Sequence, residues 1–226
     1  QEYDTAVNWS SNPTVSRWGC AMTSAAMILN YYNHVIDPEG LNNWLKSQSD
    51  GYTRNGGIMW PAITRWAREN SGPGKPKLEF KYIEPTAQLL SDELTAQRPG
   101  IIKFEKEINV GGKTIKANHF IVAKGKQSED FLISDPVYDN FTTLSQASTK
   151  WGGWIKTGRL VPANSDLSYI VLLIDEDYEV KLKDEIGNDV LGENSIEGPF
   201  ANPEGNEPLE GEGLNGFYYP KPENGI

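Results

Sequence analysis

Apolar residues at Met22, Ala25, Ala26 and Leu29 recur at the i, i+3, i+4, i+7 spacing of one helical face. The pattern predicts a helix with Cys20 in or just before its first turn and an end near Asn33-His34, after a polar, irregular lead-in over residues 1–15. Asp37-Pro38 opens a second helix, in which Leu41, Trp44 and Leu45 define a single buried face. Asn55-Gly56-Gly57 is a turn signal. Beyond it Met59, Ile63, Trp66 and Ala67 mark a third helix, with Pro61 tolerated in its first turn. A loop over 71–76 leads to a short helix expected around 86–97, with Leu89, Leu90 and Leu94 turned inward.

From Pro99 onward the pattern shortens. Residues 99–104 have the character of a strand, and Gly111-Gly112 is a hairpin turn between two amphipathic runs. The segments 118–123 and 131–135 are short, nearly continuous apolar strands of the kind found inside a sheet, joined by the polar stretch 125–130. Helices first and strands afterwards predict the α+β class, with N-terminal helices packed on an antiparallel sheet. A boundary is expected at 162–166, giving a first domain over 1–162 and an acidic, β-rich appendage over 163–226. Strands are expected there at 169–174 and 178–182, in an appendage that is truncated or partly ordered.

Composition narrows the function. Residues 164–226 carry 15 Asp and Glu against 3 Lys, a net of −12, whereas residues 1–163 carry 16 acidic against 18 basic residues, a net of +2. A nearly neutral first part has no basic field for phosphate backbones, and the acidic tail repels them, so nucleic acid is excluded as a partner. No run approaches the ~18–20 apolar residues of a membrane span. A single Cys rules out a disulfide framework. With only two distant histidines beside it, a transition-metal site is not expected either. The acidic segment 184–189 lacks the EF-hand spacing and is expected to be a solvated loop. No cofactor is expected, and the chain is expected to be a monomer, secreted or at the cell surface.

The candidate chemistry lies in three places. Cys20 is expected in or just before the first turn of its helix, where unpaired backbone N–H groups and the positive end of the dipole favour a thiolate. His34, near a helix end, is expected to be a polar surface or capping residue. His119 lies inside an apolar strand, where a polar ring needs a partner. With the hairpin loop centred on Gln127, the numbers of facing residues add to 254, which sets His119 opposite Asp135 and Ile121 opposite Ile133. That pairing requires an odd number of loop residues, since an even number puts the two side chains on opposite faces. A carboxylate behind an imidazole that faces a thiol is the nucleophile–base–orienter arrangement of acyl transfer.

The order of these motifs resembles the papain-like C39-type peptidases, in their free-standing C39-like branch. Trp18-Gly19-Cys20-Ala21-Met22-Thr23 resembles the nucleophile motif, and Asn118-His119-Phe120-Ile121-Val122 and Ile133-Ser134-Asp135-Pro136 the two that follow. Residues 37–45 and 56–60 are similar to the intervening helical region, so the likeness covers about residues 1–162. The resemblance implies a papain-like cysteine peptidase fold and hydrolysis of peptide or protein substrates through Cys20, His119 and Asp135. It also implies a Gln upstream of the Cys as an oxyanion donor. Here the only upstream glutamine is Gln1, and loss of one such donor typically costs roughly 10²–10³ in turnover.

Trp18, Trp151 and Trp154 are expected to wall a substrate groove, the last two flanking Gly152-Gly153. Two rival functions fit the same residues. One is a catalytically silent surface module that binds peptide or glycan; the other is a cell-wall amidase or endopeptidase.

Overall fold

The computed structural model describes residues 14–15, 19–52, 56–110, 113–163, 169–175, 181, 183, 187, 195–197 and 214–220. Three helices come first: α1 (Cys20–Tyr31), α2 (Pro38–Lys46) and α3 (Trp60–Glu69). Strand β1 (Leu78–Ile83) and helix α4 (Ala87–Thr95) follow, then β2 (Gly100–Val110), β3 (Lys113–Gln127) and β4 (Asp130–Ser134). Helix α5 (Leu144–Trp151) and strand β5 (Trp154–Pro162) complete this part. The five strands form one antiparallel sheet in the order β1-β5-β2-β3-β4. The molecule is of the α+β class, with helices packed on an antiparallel sheet.

Local chemistry accounts for the helix starts. Asp37 caps α2 by accepting the Gly40 N–H at 2.6 Å, and Pro38 occupies the first turn, where its missing N–H costs nothing. Thr86 caps α4 through the Leu89 N–H. The Gln146 side chain reaches back to the N–H groups of Thr142 and Thr143 and so starts α5. Helix α1 ends at Tyr31, earlier than its apolar spacing predicts. Asn33 then adopts φ +65° and the His34 N–H returns to the Leu29 carbonyl.

The sheet separates two apolar clusters, and β3 supplies both by alternation. Phe120 and Val122 join Met22, Ile28, Leu41, Ile63 and Phe80. Ala117, Ile121 and Ala123 join Leu90, Phe104, Leu144 and Trp151. Strands β1 and β5 and helix α5 carry signals that the apolar pattern alone does not resolve. The alternation of buried Leu78, Phe80 and Tyr82 is legible only once their partners on β5 are known.

Three expectations need correcting. His34 is buried rather than exposed; its Nε2 hydrogen-bonds the Pro76 carbonyl at 2.7 Å and its ring meets Trp66 edge-on. On α4 the inward face carries Leu90, the partly buried Leu94 and the buried Glu93, while Leu89 is 40% exposed. The β3–β4 hairpin is tighter than expected: Gln127 pairs with Asp130, so two residues turn the chain and Ser128 takes φ +53°.

A second antiparallel sheet of three strands has the order β6 (Tyr169–Asp175), β8 (Leu214–Pro220), β7 (Ser195–Glu197). Strand β6 matches the expectation for 169–174. Most of the strand expected at 178–182, most of the acidic segment 184–189, and the glycines of the β2–β3 turn lie outside the described residues. Among the described residues no helix is long and apolar enough to cross a membrane.

Candidate active site

Cys20 is the first residue of α1, half-buried and not in a disulfide. Gly19 precedes it, and its amide bonds the Val15 carbonyl at 2.8 Å. A Cβ at Gly19 would collide with that same carbonyl, so only glycine lets the chain turn this closely into the helix. No side chain caps the helix and no acidic residue stands in its first turn. The positive end of the dipole therefore acts on the sulfur without local opposition.

His119 arrives from the sheet. Its Cα partner on β2 is Phe104, while β4 stops at Ser134, which pairs with Val122. On that side β3 has no strand neighbour at His119 among the described residues. Asp135 directly follows β4, at the point where the chain leaves the sheet.

Parity brings the two side chains together by a route the sequence does not announce. An even, two-residue turn gives facing numbers that add to 257, which would set His119 and Asp135 on opposite faces. A β-bulge between Ala123 and Gly125 adds one residue to β3, and the sum becomes 256. Same-face parity is restored, with Ala123 opposite Ile133 rather than Ile121, a shift of two residues from the expected register.

The imidazole Nε2 lies 3.0 Å from each carboxylate oxygen of Asp135. Asp135 Oδ1 also accepts the N–H groups of Val137 at 2.8 Å and Tyr138 at 3.0 Å, which fixes the carboxylate in a tight turn. Both side chains are sealed, with His119 1% and Asp135 0% exposed. The Cys20 side chain lies close enough to the ring to raise its pKa. With Nε2 committed to Asp135, the nitrogen left for sulfur is Nδ1. Burial alone pulls the imidazole pKa down. The bond to Asp135, the neighbouring Cys20 side chain and the negative charge on both partners outweigh it and push the value up to about 9.

Aromatic rings complete the surroundings. Trp151 lies stacked on the imidazole, with centroids 4.6 Å apart and planes at 16°, and Tyr138 meets it edge-on at 5.9 Å. Trp151 is 2% exposed, so it acts as a plate beneath His119 and not as a solvent-facing groove wall. The reason is positional: it ends α5, whose apolar face packs on the sheet, and Gly152 at φ +85° turns the chain sharply away. Trp154 is half-buried against the same cluster. Gln1 and Trp18 lie outside the described residues. Among the described residues no group of three or more His, Cys, Asp or Glu is placed to hold a metal ion. Tyr138 escaped the sequence reading, although Asp135-Pro136 signals the turn that presents it.

The sequence profile of the Peptidase_C39 like family matches residues 5–160. Among solved structures, the chain is similar to one described as a C39-like peptidase from Bacillus anthracis. The two share 20% identity over 65% of this chain and 90% of that one, with a TM-score of 0.40. No curated protein gives a significant match.

Proposed function

This chain belongs to the Peptidase_C39 like family, and from that premise we propose that it is a cysteine peptidase working through Cys20, His119 and Asp135. The observation that carries the proposal is the buried ring of His119, hydrogen-bonded to the Asp135 carboxylate and held in its charged form by that carboxylate and by the only thiol of the chain. A pKa near 9 keeps that ring an imidazolium at neutral pH, the state that stabilises a neighbouring thiolate and holds a proton for release.

In the reaction the Cys20 sulfur attacks the carbonyl carbon of the scissile bond, and the electron pair of the C=O moves onto oxygen. The Cys20 backbone N–H, at the helix terminus, is the donor nearest that oxyanion. As the tetrahedral intermediate collapses, the C–N bond breaks and His119 Nδ1 gives its proton to the departing amine, leaving a thioester. Nδ1, now neutral, takes a proton from water as the water oxygen attacks the thioester. The C–S bond breaks, the carboxylic acid leaves, and the thiolate–imidazolium pair is restored. Asp135 holds the ring in the tautomer this sequence needs. Trp151 covers one face and keeps water from the His119–Asp135 bond.

A peptide-library digest with the wild type and Cys20→Ala, side by side, tests the reading. Cleavage is expected from the first and none from the second, since Ala suits a helix start and leaves the fold intact. In parallel, iodoacetamide is expected to alkylate Cys20 faster at neutral pH than it alkylates free cysteine. No cleavage by either protein, together with alkylation at the rate of free cysteine, would falsify the proposal.

A further inference from the structure

At the opposite end of α1 from Cys20, the chain encloses a pocket of about 460 Å³ lined by Tyr31, Tyr32, Gln97, Arg98, Arg159 and Pro162. Twelve residues of helix separate the two places by roughly 17 Å at ~1.5 Å per residue, so the pocket is no part of the site described above. The two arginines of its lining are held by Glu93, the acidic residue on the inward face of α4. Arg98 gives Glu93 both Nε and Nη2, at 2.6 and 2.9 Å, and Arg159 gives Nη1 at 3.1 Å.

Two guanidinium groups share the one carboxylate of Glu93. The hydrogen bonds are also distributed unevenly. Arg98 spends its forked edge on Glu93, whereas Arg159 spends only Nη1 and keeps the Nε edge. Arg159 Nε is buried without a hydrogen-bond partner among the described residues, and so is the Tyr32 hydroxyl. Tyr31, by contrast, donates its hydroxyl to the Gln97 carbonyl at 2.8 Å. Burial, with the neighbouring Tyr31 adding to it, pushes the Tyr32 hydroxyl up to about 12, so it remains a donor at any physiological pH. The Arg98 hydrogen bond holds Glu93 below the usual carboxylate range, so the arginines are never left as a bare pair there.

Buried donors without acceptors are costly, and two of them, one a guanidinium N–H, call for an anionic acceptor. The geometry points to a binding site for a carboxylate, taken on the Nε edge of Arg159 and by the Tyr32 hydroxyl, with the tyrosine rings, Val161 and Pro162 receiving the body of the ligand. A planar fork matches a carboxylate in two parallel bonds. A monoanion suits the site better than a phosphate dianion, because Glu79, across the strand pair from Val161, already sets a second carboxylate on that side. The negative end of the α1 dipole opposes any anion, but by less than a full charge. The carboxylate belongs to a small free acid or to the C-terminus of a peptide.

Calorimetric titration of the full chain separates these sources, using benzoate, a short peptide with a free C-terminus, and the same peptide amidated. Saturable binding of benzoate assigns the small acid, and binding of the free-acid peptide alone assigns a chain terminus. In either case the amide and the Tyr32→Phe variant are expected to bind about tenfold more weakly than the acid and the wild type. Arg159→Lys keeps the charge and loses the fork, with a similar loss expected. Where that variant unfolds, Tyr32→Phe decides, because it removes one oxygen and keeps the ring. Equal binding of acid and amide overturns the proposal. So does undiminished binding by Tyr32→Phe, or no saturable binding of either carboxylate up to on the order of 10 mM. Peptide cleavage by Tyr32→Phe is expected at the wild-type rate, so this site and the peptidase reading stand or fall separately.

Discussion

His119 combines near-complete burial with a pKa of about 9, and the combination exists only because Asp135 and Cys20 both favour the charged ring. The folded value lies above the ordinary 6.5 of the unfolded chain. The stability this ring contributes is therefore complete below pH 6.5 and is lost as pH rises through about 9. Activity should follow the same ionisation, with kcat/KM falling on an alkaline limb centred near 9. Asp135→Asn keeps the shape and removes the charge. Its alkaline limb is expected to move toward neutral pH and kcat/KM to fall by about 10²–10⁴, measured as pH–rate profiles of both proteins. Denaturant melts should place its stability deficit at pH 6 and shrink it at pH 10. The three residues of this site were legible in the sequence because each sits in a motif of its own: a helix start, an apolar strand, an Asp-Pro turn. His34 was not, because burial through a backbone carbonyl 42 residues away leaves no local mark.

Elements decide whether those residues meet. The helix faces were readable from spacing where they are mostly apolar, as on α1 to α3, which bury Ser24, Asn42 and Thr64 as their polar exceptions. They were not on α4, where Glu93 occupies an inward position only because arginines from the loop after α4 and from β5 neutralise it. The hairpin register was off by two residues at Ala123 because neither an even turn nor a bulge has a periodic signature. The bulge itself makes a prediction. Deleting Lys124 removes the extra residue and returns the hairpin to the parity that separates His119 from Asp135. The variant is expected to keep a wild-type far-ultraviolet spectrum. Its Cys20 should react with iodoacetamide no faster than free cysteine, and its peptide cleavage should fall below detection.

At the scale of the molecule, both apolar clusters, among the described residues, are drawn from residues up to Leu160, and the site lies between Cys20 and Trp151. A chain ending at Ala163 retains all of these contacts, including the Ala163 amide bond to Lys77. It is expected to unfold within a few degrees of the full chain and to cleave peptides with the same kcat/KM. Its net charge would change from −10 to +2, which thermal melts, kinetics and isoelectric focusing would register together. The class of the fold was evident from helices preceding strands. The pairing of β1 with β5 was not, because the two meet across some seventy residues of sequence.

The sealing of the ring and its carboxylate has a spectroscopic corollary. A proton held between Nε2 and Asp135, with both groups cut off from bulk water, trades places with solvent slowly. It should therefore survive as a discrete resonance at the far downfield edge of the one-dimensional proton spectrum at room temperature, where solvent-open histidines leave nothing to see. Following that one line through a titration would give the protonation state of the ring without any substrate present.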